Sequence, residues 1–242
     1  MGLHVTGATG YLGSELVRLR PDASTERVEI RDAAAVLALL ERLRPETVIH
    51  TAYRQEDAGV NVEGSANVAR AAAAVGARLV HLSTDVVFDG LKGAPYVEQD
   101  PLSPVSDYGA SKAEAESRVA SEHPAALIVR TSLIVGGLEP SKHELAAAGP
   151  GPWFTNEIRS PIQLTDLAQA LLELAALELA GPLHVAGVDG VSRAELAELI
   201  AGSPVPTAEA PPTRPLDCRL DCSRAQALLR TRLRGVRELF GA

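Results

Sequence analysis

Short apolar runs alternate along this chain with longer segments in which apolar residues return every three or four positions. The first rhythm suits strands and the second suits helices. Their alternation is the signature of α/β architecture built on a parallel sheet. Leu3-His4-Val5 predicts the opening strand, and Tyr11 to Leu19 a helix stopped by Pro21. Arg27–Ile30 predicts a short strand, Ala33–Leu43 an Ala/Leu-rich helix, Thr47–His50 a strand, and Val60–Val75 a long helix. Arg78–Leu82 predicts a buried strand running into Ser83-Thr84-Asp85, and Ala126–Arg130 another. Residues 90–104, rich in Gly, Pro and acids, read as a loop, after which Ser106 or Asp107 can cap a helix. Residues 139–152 are rich in Gly and Pro and read as mobile. Leu164–Leu179 predicts a helix and Pro182–Val185 a late strand. Ser192–Ile200 predicts a helix capped by Ser192, with Glu195 at the capping-box position. A connection holding five prolines follows from Pro204 to Pro215.

A length of 242 residues suits one domain, or one domain with a small appended lobe. Aromatic residues make up only 3%, so the core must be built from Ala, Val, Leu and Ile, which suits helices packed closely on a parallel sheet. The net charge of -8 argues against nucleic acid or an anionic membrane as partner. It also means that an anionic ligand must be met by individual Arg and Lys residues. The apolar stretch 71–75 is far too short to span a bilayer. The N-terminus runs straight into a strand with no room for a signal peptide, so a cytoplasmic location is expected. Cys218 and Cys222 make neither a disulfide framework nor a zinc site, and read as reduced thiols. His50, His81, His123 and His184 are scattered, so no metal is assigned.

Gly7, Gly10 and Gly13 follow a strand and open a helix, the context that gives a glycine fingerprint meaning. Glycine allows a tight turn and lets backbone approach a pyrophosphate, while the helix N-terminus offers unpaired N–H groups and a positive dipole end. About a hundred residues on stand Tyr108 and Lys112, whose spacing of four puts both side chains on one helix face. A free phenol, with a pKa of about 10, rarely exchanges protons at neutral pH. A nearby ammonium favours the phenolate and draws it toward the working range.

Taken together, Thr6-Gly-Ala-Thr-Gly-Tyr-Leu-Gly13, residues 83–90 and Tyr108-x-x-x-Lys112 resemble the extended short-chain dehydrogenase/reductases. Within that group the chain is most similar to the dTDP-4-dehydrorhamnose reductases and related nucleotide-sugar 4-ketoreductases. Residues 61–67, Arg130-Thr131-Ser132 and residues 214–221 extend the resemblance over nearly the whole length. It implies a Rossmann-type doubly wound parallel sheet with a small C-terminal substrate-binding lobe. Residues 1–134 and 163–186 would form the dinucleotide-binding core, and residues 135–162 and 187–242 the lobe. It further implies NADP or NAD as cofactor, NADPH being favoured, and a nucleotide sugar as substrate. A homodimer stays open.

Residue by residue, the resemblance implies that Tyr108 protonates the developing alkoxide and that Lys112 holds the nicotinamide ribose. Thr84 would hydrogen-bond the substrate carbonyl. Gly7, Thr9, Gly10, Tyr11, Leu12, Thr51, Ala52, Tyr53, Ser83 and Thr131 would lie along the cofactor. Asp85, Trp153 and Arg214 would meet the substrate, with Arg214 and Arg219 candidates for its diphosphate. Structural roles stay open beside these: a loop cap for Asp85, ordinary packing for Trp153, solvated loop positions for the two arginines.

Two departures stand out. Only fourteen residues separate Gly13 from Val28, so Val28–Ile30 is expected to replace the family's extra strand and the sheet edge to be trimmed. Arg31-Asp32 then falls where an acid meets the adenosine ribose. Arg31 favours a 2'-phosphate and Asp32 opposes it, and either may serve as a helix cap. In residues 156–162, Glu157, Arg159 and Ile162 replace family residues, adding a cation and an acid beside the expected substrate pocket. Relatives of this reductase family also serve as partners of methionine adenosyltransferase, so a regulatory subunit without turnover is the alternative. An epimerase or dehydratase is a third reading.

Overall fold

The computed structural model describes residues 2–149 and 151–241. Its elements run β1 (Leu3–Thr6), α1 (Tyr11–Leu19), α2 (Ala33–Leu43), β2 (Thr47–His50), α3 (Ser65–Val75), β3 (Arg78–Thr84), α4 (Asp107–Glu122), β4 (Leu127–Thr131) and β5 (Ile134–Val135). They continue with α5 (Lys142–Ala147), β6 (Trp153–Phe154), β7 (Ile158–Arg159), β8 (Ile162–Gln163), α6 (Leu164–Leu174), β9 (Gly181–His184), β10 (Val191–Ser192), α7 (Arg193–Ala201), β11 (Thr207–Ala208), α8 (Ser223–Leu228) and α9 (Val236–Phe240). The chain forms two compact units. One comprises Met1–Ser83, Ala110–Val129 and Ala168–Leu183; the other comprises Thr84–Gly109, Arg130–Leu167 and His184–Ala242.

The first unit carries the sheet, whose strand order is β1-β2-β3-β4-β9. β1, β2 and β3 pair parallel, with His50 opposite Thr6 on one side and His81 on the other. Every residue of β2 is buried, so both faces of the sheet are covered, as the near-continuous apolar strands require. On one face Val48 and Leu79 pack with Val36 and Leu40 of α2, Val68, Ala69 and Ala72 of α3, and Val119 of α4. Alanine on α3 lets that helix sit close to α2 and the sheet, which is how a chain with few aromatics fills its core.

Arg27–Ile30 forms no strand, against the sequence expectation. The sheet edge receives one parallel bridge, His4 to Ser24, made by Val5 N–H to Ser24 O at 2.9 Å and Ser24 N–H to Leu3 O at 2.8 Å. The short link between α1 and α2 has length for a single touch on β1 before it must return to α2. The first turn of the helix expected from Val60 is a π turn over Val60–Gly64, and α3 proper begins at Ser65.

In the second unit short strands pair as β5 with β8 in parallel, β7 with β10 antiparallel, and β6 with β11 in parallel. Val135, Val191, Leu196 and Val236 make its buried cluster with α7 and α9. The segment 139–152, read from its Gly and Pro as an irregular mobile loop, contains α5. A full capping box starts that helix: Ser141 Oγ accepts from Glu144 N–H at 3.2 Å, and Glu144 Oε2 accepts from Ser141 N–H at 2.8 Å. Ser192 likewise caps α7, accepting from Glu195 N–H at 3.0 Å. α6 ends five residues early, its continuation tightening into turns with Ala176 N–H on Glu173 O and Leu177 N–H on Leu174 O. The loop after β3 is tied by Tyr96, whose ring stacks on Phe88 at 4.1 Å and whose hydroxyl donates to Asp89 at 2.7 Å.

Candidate active site

In the first unit the turn from β1 to α1 forms a cleft of about 310 Å³. It is lined by Gly7, Ala8, Thr9 and Gly10, by Thr25 to Ile30, and by Thr51 to Arg54, with Val5 and Val60 as apolar wall. Gly7 has φ +69, and a Cβ there would lie 2.7 Å from Ala52 N. A Cβ on Gly13 would lie 2.1 Å from Gly7 O. Those two glycines let the turn press against β2 and α1 beneath it. Gly10 differs: a Cβ there would come no nearer than 3.2 Å to Gly7 O, so its bare Cα chiefly opens the cleft side. α1 has no side-chain cap on Gly10 and no acid in its first turn, which leaves its first N–H groups and positive end for an anion. This cradle fits a dinucleotide pyrophosphate.

The expected cofactor residues divide. Gly7, Thr9, Gly10, Thr51, Ala52 and Tyr53 line the cleft; Tyr11, Leu12, Arg31 and Asp32 do not. Leu12 is buried core. Arg31 pairs with Glu29 at 2.9 Å and with Asp57 at 3.6 Å. Asp32 caps α2, accepting from Ala35 N–H at 3.0 Å. Ser83 donates to Glu116 at 2.5 Å. Thr131 in the second unit has its hydroxyl oxygen buried without a hydrogen-bond partner. Arg27 and Arg54 also line the cleft, though no motif marks either as a site residue; only the three-dimensional path of the strandless link reveals Arg27.

Lys112, on α4, is buried in the first unit and donates to Leu82 O at 2.7 Å. Burial lowers its ammonium to about 8, and the Glu116 carboxylate opposes that shift. It is therefore a cation at neutral pH, but a weak acid poised for change. Burial, and then the Lys112 charge, lower His50 to about 3. That histidine stays neutral, its ring joined to Thr6 Oγ1 at 2.6 Å and Ser65 Oγ at 3.1 Å. Asn61, fully buried, ties the cleft loop to α4: its amide donates to Arg54 O at 2.7 Å and to Ser111 Oγ at 3.1 Å, and its oxygen accepts from Arg54 N–H at 3.0 Å.

Tyr108 stands in the first turn of α4, four residues before Lys112. Of the two caps expected there, Ser106 serves, accepting from Gly109 N–H at 3.1 Å. In the second unit Thr84 Oγ1 donates to Asp85 Oδ1 at 3.2 Å. Asp85 is buried and accepts from Ser132 Oγ at 2.5 Å, with Arg159 Nε at 3.7 Å. Burial raises its pKa, and Arg159, Ser132 and Thr84 restrain that rise. Asp85 is thus an internal anchor for the strand end that presents Thr84.

The sequence departures at Glu157 and Arg159 acquire a structural meaning. Arg159, 2% exposed, donates to the carbonyls of Ile158 at 2.8 Å, Pro215 at 2.8 Å and Leu216 at 2.5 Å, and lies 3.3 Å from Glu157. It fastens residues 215–216 onto β7. Glu157 in turn accepts from Arg214 Nε at 2.7 Å, and the Arg214 guanidinium lies over Phe154 at 5.0 Å. Arg219 is paired bidentately with Asp217 at 2.8 and 2.6 Å. Trp153, on β6, has the Arg193 guanidinium 5.5 Å from its ring centre. One nitrogen of Arg193, the first residue of α7, is buried with no partner. Cys218 and Cys222 are free and buried, with burial pushing Cys222 up to about 12. Among the described residues no cluster could hold a metal ion and no helix is long and apolar enough to cross a membrane.

A parallel α/β sheet with a glycine cradle at its first strand-to-helix turn, followed downstream by a Tyr and a Lys one helical turn apart, defines a Rossmann-type dinucleotide-binding protein. The RmlD substrate binding domain model matches residues 1–240, and the chain belongs to that family. A dTDP-4-dehydrorhamnose reductase of Sinorhizobium fredii is 30% identical, over 96% of this chain and 93% of its own length. Methionine adenosyltransferase 2 subunit beta of Rattus norvegicus is 28% identical, over 93% of this chain and 81% of its own. Among solved structures, dTDP-4-dehydrorhamnose reductase from Bacillus anthracis in complex with NADP superposes with a TM-score of 0.85 at 26% identity, covering 100% of this chain and 98% of that one.

Proposed function

We propose that this protein is an NAD(P)H-dependent reductase of the 4-keto group of a nucleotide-activated, dTDP-linked deoxysugar. The observation that carries the reading is Tyr108 in the first turn of α4 with the buried, charged Lys112 one turn behind it. The glycine cradle and the similarity to dTDP-4-dehydrorhamnose reductases support it.

A reduced nicotinamide bound along the cleft would supply the hydride. Tyr108 gives its phenolic proton to the carbonyl oxygen as negative charge grows there. Lys112 is held in place by the Leu82 carbonyl and keeps its remaining N–H donors for ribose hydroxyls, while its charge favours the phenolate that Tyr108 becomes. Thr84 would turn its one hydroxyl proton from Asp85 to the same oxygen, a contribution on the order of 3 kcal/mol in comparable sites. Trp153 and Arg214 contact the substrate in this reading, with Arg214 released from Glu157 toward phosphate oxygens. The test is consumption of reduced nicotinamide absorbance when protein, NADPH or NADH, and a panel of nucleotide-linked 4-keto-6-deoxyhexoses are mixed. Absence of consumption across the panel contradicts the reading.

The likeness to methionine adenosyltransferase 2 subunit beta favours one other reading, a dinucleotide-binding regulatory subunit. It predicts dinucleotide binding without turnover and a cellular function indifferent to Tyr108→Phe.

A further inference from the structure

We infer that Arg27 and Arg54 form the seat of a ribose 2'-phosphate and make this cleft selective for NADPH over NADH; the inference rests on the dinucleotide reading above. Both residues line the cleft, Arg27 from the strandless link after α1 and Arg54 from the loop after β2, and both are exposed. The glycine turn takes the pyrophosphate, so a second anionic group is the feature left for two cations elsewhere in the same cleft.

Three observations give these arginines that task. First, the two acids that share the cleft are answered by other arginines. Glu26 pairs with Arg42 at 2.5 Å, and Glu29 with Arg31 at 2.9 Å, a partnership that brings Glu29 down to about 2. Arg54 adds only a minor long-range share to that lowering. Arg27 and Arg54 themselves make no ion pair or side-chain hydrogen bond among the described residues. Beside carboxylates already matched by Arg42 and Arg31, two arginines without a partner of their own leave the cleft with an excess of positive charge that suits a dianion. Second, Arg54 is not on a loose loop. Its own N–H and C=O are both held by the amide of buried Asn61, which is anchored to Ser111. Third, the acid that would take the ribose hydroxyls and repel a phosphate there is engaged elsewhere. Asp32 caps α2 and is outside the cleft lining. The choice of dinucleotide thus leaves Arg31 and Asp32, where sequence position put it, and passes to Arg27 and Arg54.

The experiment is calorimetric titration of the intact protein with NADPH, NADH, 2',5'-ADP and 5'-ADP, repeated on Arg27→Gln, Arg54→Gln and the double variant. Thermal melting checks that folding is intact, and Arg54→Lys separates charge from fork geometry. The wild type is expected to bind NADPH about a hundredfold more tightly than NADH, and 2',5'-ADP over 5'-ADP by a similar factor, from two charge-assisted contacts of about tenfold each. Each Gln variant should lose about tenfold for the 2'-phosphorylated ligands with NADH within about twofold, and the double variant should bind both dinucleotides alike. Arg54→Lys should recover only part of the preference. Equal wild-type binding of NADPH and NADH, or equal weakening of both in the variants, overturns the selectivity while leaving the reductase reading in place. If neither dinucleotide binds, both readings are overturned.

Discussion

The glycine turn of the first unit and the arginine-rich segments of the second solve the handling of anions in opposite ways. Around Gly7–Gly13 the chain presents backbone: an uncapped helix end, bare Cα atoms and two unpaired arginines. Around residues 153–219 it presents side-chain charge that is already matched, with Arg214 on Glu157, Arg219 on Asp217, and Arg159 on Asp85 and Glu157. The second region is held together by its own ion pairs, and under the proposed function a substrate anion would have to compete with Glu157 for Arg214. The first half of this contrast rests on a local motif; the second rests on matched charges brought together from distant segments.

Substitutions that act on one region and spare the other sharpen this contrast. Tyr108→Phe should lower kcat by about 10²–10⁴ while leaving NADPH affinity within about twofold, measured by steady-state kinetics beside calorimetry. An equal loss of binding would erase the distinction. Arg159→Ala removes the buried cation between Asp85, Glu157 and three carbonyls. It should cost about 3–5 kcal/mol in urea unfolding, and retained stability would show that the network is ornamental.

Lys112 gives the first unit a pH signature. In the folded chain its ammonium titrates at about 8, against 10.5 when exposed. Below about 8 both states hold the proton and the burial penalty is complete. Between these values the unfolded chain binds more protons, so unfolding free energy should rise with pH by about 3 kcal/mol in total. Lys112→Met should flatten that rise in urea titrations across the same pH window. The smallest effects separate the glycines. Gly13→Ala should destabilise by about 1–3 kcal/mol through its clash with Gly7 O. Gly10→Ala should change stability by under about 0.5 kcal/mol yet weaken dinucleotide binding. Identical behaviour of the two variants would remove the argument that Gly10 serves the ligand.

Legibility followed the range of the interactions. α1, α2 and β2 end where periodicity, Pro21 and the turn residues say they end, because those signals are local. The glycine cradle and the helix joining Tyr108 to Lys112 were readable for the same reason. Arg27–Ile30 has strand composition but no length in which to pair, a constraint set by where α1 and α2 must sit. α5 escaped because Gly149, Gly151 and Pro152 dominate the composition of a segment whose helix rests on the Ser141–Glu144 box. Residues such as Arg27, Asn61 and Arg193 carry no motif. Their roles appear only when distant segments are brought together. Arg31 and Asp32 stood at the right sequence distance, but a pair with Glu29 and a helix cap claimed them.

The most direct measurement of the central claim follows the hydride itself. NADPH carrying deuterium at the transferring position is incubated with the protein and a dTDP-4-keto-6-deoxyhexose, and the sugar product is examined by mass spectrometry and NMR. The account predicts one deuterium on the carbon that bore the ketone, together with one equivalent of oxidised dinucleotide. A sugar recovered unchanged, or converted without deuterium and without net oxidation, would contradict it.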